Sequence, residues 1–176
     1  MRDPFLLNLT DKETLTRGLR TLGGLPFFVS DAGGIELDRL LFNATKAKRD
    51  RQIELLVVDY AQLIHAGGRD KREQVSAVAG RLREFAKEHN VATILLSQLA
   101  RPDGRNINAK PNMFMLKESG TLEESAHGII MPYMPVDPET NVFRGEDELV
   151  IGKQRFGAVG SVPVKFNGEY LRFDER

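Results

Sequence analysis

The sequence predicts an α/β fold in which a mostly parallel sheet, flanked by helices, is followed by antiparallel strands. Short apolar runs that are typical of buried strands alternate with longer segments whose apolar residues recur at three- and four-residue steps, as in amphipathic helices. An order of strand, helix, strand, helix, strand favours a parallel sheet with right-handed crossovers. Near the carboxyl end, strand-like runs at 148–153 and 161–166 flank a polar segment, which adds an antiparallel pair.

The first elements are a helix, a strand and a second helix. Leucines at helical spacing predict a helix over 10–22, which Gly23-Gly24 would end. The run LPFFVS at 25–30 predicts a strand. After a glycine-rich turn, apolar residues on one helical face predict the second helix over 35–49.

The central elements repeat this alternation. The run IELLVVD at 53–59 predicts a buried strand that ends in a carboxylate. Apolar residues at three- and four-residue steps over 69–89 predict a strongly amphipathic helix, and 91–96 predicts the next buried strand. Beyond it, Pro, Gly, Asn and basic residues predict a long irregular loop over 100–115, then a short helix over 117–126 and a strand over 128–133.

Composition restricts the class of protein. At 176 residues the chain fits one domain, and a domain of this size buries roughly 70% of its unfolded surface. The 25 basic and 25 acidic residues balance, so nucleic-acid binding would require a local basic patch. Since cysteine is absent, disulfides, thiolate catalysis and cysteine zinc sites are excluded. No uncharged apolar run approaches the ~20 residues of a membrane span, so we expect a soluble, cytoplasmic protein without a membrane partner.

Asp59 is the first candidate for a functional residue. It follows a buried strand, and in open parallel sheets ligands bind at the carboxyl ends of the strands. A carboxylate there can hold Mg²⁺ through water beside nucleotide phosphates. A strand also ends in Asp where the side chain caps a helix or forms a turn, and the motif alone leaves both interpretations open.

Four segments, taken in order, resemble the C-terminal motor domain of DnaB-type replicative helicases. They are VVDYAQL at 57–63, LLSQLAR at 95–101, LKESGTLEESA at 116–126, and IGKQRFG at 151–157 followed by VKFNGEYLRFDE at 164–175. The resemblance covers 25–175. It implies a RecA-like P-loop NTPase core and one partial helicase domain over 1–176.

The resemblance implies roles for four residues in ATP chemistry. Asp59 matches the Walker B carboxylate and would hold Mg²⁺. Gln98 matches the glutamine that senses the terminal phosphate. Lys153 and Arg155 match the finger hairpin, which reaches the nucleotide site of a neighbouring subunit. ATP and Mg²⁺ are the implied cofactors, and the mechanism requires a homo-oligomer, a hexamer in the complete protein.

A second set of residues resembles the family's DNA-facing loop. Lys117, Glu118 and Gly120 match its Arg-Glu-Ser-Gly motif, with Lys117 in place of the usual arginine. Lysine keeps the charge but loses the bidentate fork, so contact with single-stranded DNA is implied without the arginine geometry. A mobile, solvated loop is an equally good interpretation of the basic residues that could extend this path, which are Arg101, Arg105 and Lys110.

The main departure from the family is the missing phosphate cradle. A P-loop ends in Gly-Lys-Ser or Gly-Lys-Thr, and neither tripeptide occurs in the chain. We therefore expect an N-terminally truncated domain that cannot hydrolyse ATP alone, since the catalytic glutamate also precedes the matched region in the family. Primase and a helicase loader are further expected partners. The alternatives are a non-catalytic module that binds DNA or helicase subunits, and a recombination ATPase of the RecA group.

Overall fold

The computed structural model describes residues 9–100, 108–140 and 142–176, with the backbone alone at 9–10 and 117–120. The chain divides into two compact units, Met1–Gly33 and Gly34–Arg176. No helix in these described ranges has the length and apolar character needed to cross a membrane.

The first unit contains helix α1 (Leu9–Gly23), which confirms the predicted helix. The strand predicted over 25–30 is wrong, because the structure describes all of these residues and they form no strand. Phe27 and Val29 are instead exposed. β-branched and aromatic residues show that a segment suits a sheet, but a strand also needs a hydrogen-bonded neighbour, which composition does not report.

The second unit begins with two helices and two parallel strands. They are α2 (Leu37–Arg51), β1 (Leu55–Val58), α3 (Lys71–His89) and β2 (Ala92–Leu95). Helix α3 begins where Asp70 accepts a hydrogen bond from the Glu73 backbone N–H at 2.8 Å, a typical N-cap contact. It ends at Asn90, which adopts the left-handed conformation. Strands β1 and β2 pair in parallel, so their carboxyl ends lie at one edge of the sheet.

The hydrophobic core lies between the helices and one face of this sheet. Its buried members come from α2, β1, the segment after β1, and α3, and they are Leu37, Val58, Ile64, Val78 and Leu82. Leu56 and Leu95 pack against this cluster from the two strands. The residues that alternate with them, including Val57 and Ile94, are exposed on the opposite face.

The second half of the unit is built from a short helical segment and an antiparallel sheet. The segment consists of a 3₁₀ helix over Met113–Ser119 and helix α4 (Gly120–Ser125). The sheet has the order β3-β4-β5-β6, with bounds Gly128–Tyr133, Glu148–Gln154, Gly160–Asn167 and Arg172–Glu175. The α/β class with parallel strands first and antiparallel strands after them is confirmed. Within the described residues the antiparallel strands are the more numerous, and β6 was not predicted.

Candidate nucleotide and nucleic-acid site

Asp59 lies at the carboxyl edge of the parallel sheet, directly after the buried last residue of β1. Pairing continues past both strands, since the Leu96 N–H donates to the Val58 carbonyl at 3.0 Å and the Ala61 N–H donates to the Leu96 carbonyl at 2.9 Å. The Asp59–Tyr60 peptide bond is cis. Asp59 is exposed and follows the last residue of β1, the strand end at which the sequence predicted it.

Asp59 suits a metal ion that keeps its waters better than one that is bound by several protein side chains. Across the described ranges, no three His, Cys, Asp or Glu residues are grouped as metal ligands. Mg²⁺ typically keeps several waters and binds one or two carboxylates together with substrate phosphates. One exposed carboxylate therefore fits Mg²⁺ that arrives with a nucleotide.

Gln98 lies three residues beyond the end of β2 and contacts the segment that follows Asp59. A short 3₁₀ helix over Ala61–Leu63 brings Gln62 opposite Gln98. The Gln62 Nε2 donates to Ser97 Oγ at 3.1 Å and to the Gln98 carbonyl at 3.4 Å, while Gln62 Oε1 accepts from the Gln98 N–H at 3.3 Å. The sequence did not predict this contact, because a bond between a side chain and a backbone group 36 residues apart leaves no motif.

A cavity of about 290 Å³ adjoins these two glutamines. Tyr60, Gln62 and Gln98 line one part of it, and Lys71 and Arg72 from the first turn of α3 also line it. Leu116, next to the candidate DNA loop, lies at the same cavity, whereas Asp59 is not among the lining residues. Gln98 therefore shares this cavity with two basic side chains of α3.

The hairpin that was predicted to carry the finger residues consists of β4, its turn and β5. Lys153 lies near the end of β4, and its ammonium donates to the backbone carbonyl of Glu123 in α4. Arg155 follows the strand with its side chain exposed, and its N–H donates to the His127 carbonyl at 2.8 Å. Within the described part of the chain, neither cation is hydrogen-bonded to Asp59 or Gln98.

The start of β4 is held to β5 by a buried carboxylate. Pro163 lies opposite Glu148 and has no N–H to donate. Beyond it, the Val164 N–H donates to the Asp147 carbonyl at 2.9 Å, and the Phe166 N–H donates to Asp147 Oδ2 at 2.8 Å. The Asp147 side chain thus takes the place of a strand acceptor at the base of the hairpin.

The predicted DNA residues are described to different extents. Lys110 forms an ion pair with Glu148, so its ammonium already has an anionic partner. The hydrogen bond from Lys110, with a second from Ser161, lowers the pKa of Glu148 below its usual range. The backbone places Lys117 and Glu118 in the 3₁₀ helix and Gly120 at the first position of α4. Arg101 and Arg105 lie outside the described residues.

Comparison with known proteins identifies the family. The family model described as "DnaB-like helicase C terminal domain" matches residues 2–175. A "Probable replicative DNA helicase" of Trieres chinensis is 31% identical over 175 residues, which are 95% of this chain and 38% of the relative. The "Replicative DNA helicase DnaC" of Bacillus subtilis (strain 168) is 31% identical over 173 residues, 94% of this chain and 38% of the relative. The chain thus spans 38% of the length of each of these two relatives.

Two solved structures have the same fold as this chain. One structure, described as an ATPase domain, superimposes with a TM-score of 0.84 at 26% identity, covering 98% of this chain and 62% of that one. "The Structure Of A DnaB-Like Replicative Helicase And Its Interactions With Primase" gives a TM-score of 0.80 at 26% identity, covering 99% and 43%. These matches confirm the RecA-like class that the four segments implied. The chain belongs to the family of DnaB-like helicase C-terminal domains.

Proposed function

We propose that this chain supplies the metal, sensor and finger residues of the ATP site in a ring-shaped replicative DNA helicase. The observation that supports this most strongly is the position of Asp59 and Gln98 at the carboxyl ends of two paired parallel strands, in a chain of the DnaB-like family. Two polar groups at that edge suit a metal-bound phosphate and the water that attacks it. The ring would translocate on single-stranded DNA and unwind the duplex.

Each residue has a distinct task in this proposal. Bound Mg²⁺-ATP supplies the phosphoryl group that is transferred to water. Asp59 accepts hydrogen bonds from the waters that accompany the metal, and the Gln98 amide bonds to the terminal phosphate or to the attacking water. Lys153 and Arg155 extend into a neighbouring subunit's site, where their charge stabilises the transferring group. Lys153 must first leave the Glu123 carbonyl.

The DNA-binding part of the proposal rests on the loop before α4. Lys117, Glu118 and Gly120 would follow the phosphates of single-stranded DNA, which requires no base recognition. Arg101, Arg105 and Lys110 would extend the path, with Lys110 exchanging Glu148 for a phosphate. The expected assembly is a homohexamer in bacterial or phage cytoplasm, with primase or a helicase loader as partners.

The chain alone should not hydrolyse ATP. Its sequence contains no Gly-Lys-Ser or Gly-Lys-Thr, so it has no Walker A lysine to bind the β- and γ-phosphates. In the assembled motor, the phosphate cradle and the catalytic glutamate would come from outside these residues. Asp59, Gln98 and the finger hairpin would then complete a site that they cannot form by themselves.

A chimera tests this function directly. This chain would replace the matching segment of the Bacillus subtilis relative, and phosphate release would be measured against Mg²⁺ concentration. We expect Asp59→Asn to raise the Mg²⁺ requirement, since a neutral amide holds the metal's waters less strongly. The matched control is Asp31→Asn, an exposed aspartate of the first unit, which should leave the curve unchanged. Identical Mg²⁺ curves for the two variants would overturn the assignment of Asp59.

A further inference from the structure

The contact between Gln62 and Gln98 joins the two strand ends of the candidate site. Gln98 lies beyond the last paired residues of β2, and among the described residues no strand pairs with it. The Gln62 amide bonds to both of them, accepting from the N–H at 3.3 Å and donating to the carbonyl at 3.4 Å. A side-chain amide has one acceptor and one donor group, so it can bond to a backbone N–H and carbonyl as a paired strand would.

The orientation of the Gln62 amide follows from its neighbours. The Gln98 carbonyl needs a donor and the Gln98 N–H needs an acceptor, so only one placement of Nε2 and Oε1 satisfies both. Ser97 Oγ, at 3.1 Å from Nε2, provides a further acceptor on the same side. The amide is thus held by three bonds, all to the residues that follow β2.

The backbone of Gln62 is fixed as firmly as its side chain. The preceding residue, Ala61, is buried and donates its N–H to the Leu96 carbonyl at 2.9 Å. Ala61 also begins the 3₁₀ helix, two residues after Asp59. Asp59 is therefore connected to Gln98 along a short path. The backbone leads from Asp59 to Gln62, and the Gln62 amide is hydrogen-bonded to the Gln98 backbone.

We propose that Gln62 is a positioning residue whose side-chain amide fixes the backbone of Gln98 and so holds the Gln98 side chain in place for the terminal phosphate. This inference rests on the proposed function, because Gln98 has no phosphate to bind otherwise. Gln62 itself acts only through Gln98 and touches no reacting atom. Without the clamp, the Gln98 N–H would bond to water, and the Gln98 carbonyl would keep the 3.5 Å bond from Ser97 Oγ alone, so the backbone there would be less restricted.

The first test measures the clamp without nucleotide. Amide hydrogen exchange of this chain, followed residue by residue by NMR, should show the Gln98 N–H exchanging faster in Gln62→Ala, by roughly fivefold for one lost neutral hydrogen bond. The Ala61 N–H should not change. Gln74→Ala, the same substitution at another half-buried glutamine, is the matched control and should leave Gln98 unaffected.

A second variant guards against a simple loss of folding. Gln62→Glu keeps the size and the acceptor but loses the donor. The Gln98 N–H should stay protected in this variant because the carboxylate still accepts from it, and the Ser97 hydroxyl can turn to donate to the carboxylate, so the bond to the Gln98 carbonyl is the one that is lost. Unchanged exchange at Gln98 in Gln62→Ala, or equal acceleration in Gln62→Ala and Gln62→Glu, would overturn the clamp.

The role in catalysis is tested in the complete motor assembly. Gln62→Ala should lower kcat by roughly three- to tenfold with KM unchanged, because one misplaced sensor costs about one hydrogen bond in the transition state. Adding Gln62→Ala to Gln98→Ala should cause no further loss, whereas additive losses would overturn the inference. If the wild-type assembly showed no turnover, the proposed function and the catalytic role of Gln62 would both be refuted, and the exchange experiment would still decide whether the clamp exists.

Discussion

Replacing Leu82 by alanine tests whether the core supports the strand ends that form the site. Leu82 lies on α3, is 2% exposed, and belongs to the same cluster as Val58 and Ile64. Val58 immediately precedes Asp59, and Ile64 follows the 3₁₀ helix that contains Gln62. The cluster therefore holds both ends of the segment that contains Asp59 and Gln62.

The magnitude of the effect follows from this burial. Truncating a fully buried leucine removes three carbon atoms from a packed core and leaves a cavity, which costs about 3 kcal/mol within a usual range of about 2–5. Leu63→Ala is the matched control, since Leu63 lies in the same structural unit as Leu82 but is 46% exposed. Because Leu63 leaves little cavity, we expect Leu63→Ala to cost less than about 1 kcal/mol.

Urea unfolding followed by circular dichroism gives the comparison. With a slope of about 2 kcal/mol per molar urea, Leu82→Ala should lower the midpoint by about 1.5 M and Leu63→Ala by less than about 0.5 M. The slopes themselves should agree, which would show that both variants unfold from equally compact states. Midpoints for the two variants within experimental error of each other would refute the assignment of Leu82 to the core.

Three further predictions concern the charged residues. Arg155→Ala in the chimera should reduce hydrolysis on the order of a thousandfold or more with nucleotide binding retained, measured by phosphate release and analogue titration; comparable hydrolysis would remove the finger assignment. Lys117→Ala should reduce the slope of log affinity for single-stranded DNA against log salt concentration by about 0.7, which is the loss expected for one phosphate contact. The control is Lys46→Ala in α2, and equal slopes for the two variants would exclude that contact. Lys110→Met should lower the free energy of unfolding at neutral pH, and the difference from the wild type should vanish as pH falls through the lowered pKa of Glu148. The reason is that the bonds that lower an acid's pKa stabilise the fold only while the acid is ionised. A difference in urea midpoint that persists at acid pH would contradict this prediction.

The elements with strong periodicity could be predicted from the sequence. Val75, Val78, Leu82 and Phe85 recur at helical steps on α3 and are all buried in the structure. Asp59 and Gln98 were placed correctly at strand ends, because buried apolar runs mark where each strand stops. Periodicity succeeds here because burial on one face is the physical cause of the pattern.

Elements that depend on pairing partners were harder to predict. Strand β6 is short, and its Arg172 and Asp174 gave it no continuous apolar run. It forms because the side chain of Asn167 accepts from the N–H groups of Glu169 and Tyr170 at 3.2 and 3.4 Å and turns the chain back onto β5. An Asn-Gly pair between two short runs was the available signal.

The contacts that organise the site leave no pattern in the sequence. The bond from Lys153 to the Glu123 carbonyl and the Gln62 clamp both join a side chain to a distant backbone group. Any residue presents the same backbone, so such contacts place no constraint on the partner's identity. They become visible only when the fold brings the segments together.

The central claim is that this chain supplies a metal carboxylate to one ATP site and an arginine to the next, and subunit mixing tests it most directly. Chimeras with Asp59→Asn and with Arg155→Ala would be assayed for phosphate release with single-stranded DNA, separately and after co-assembly in equal amounts. Separately, both should be inactive at a Mg²⁺ concentration that limits the Asp59→Asn ring. In mixed rings about a quarter of the interfaces pair an intact Asp59 with a neighbour's intact Arg155, so the mixture should regain roughly a quarter of the wild-type rate. A mixture no more active than its components would contradict the claim.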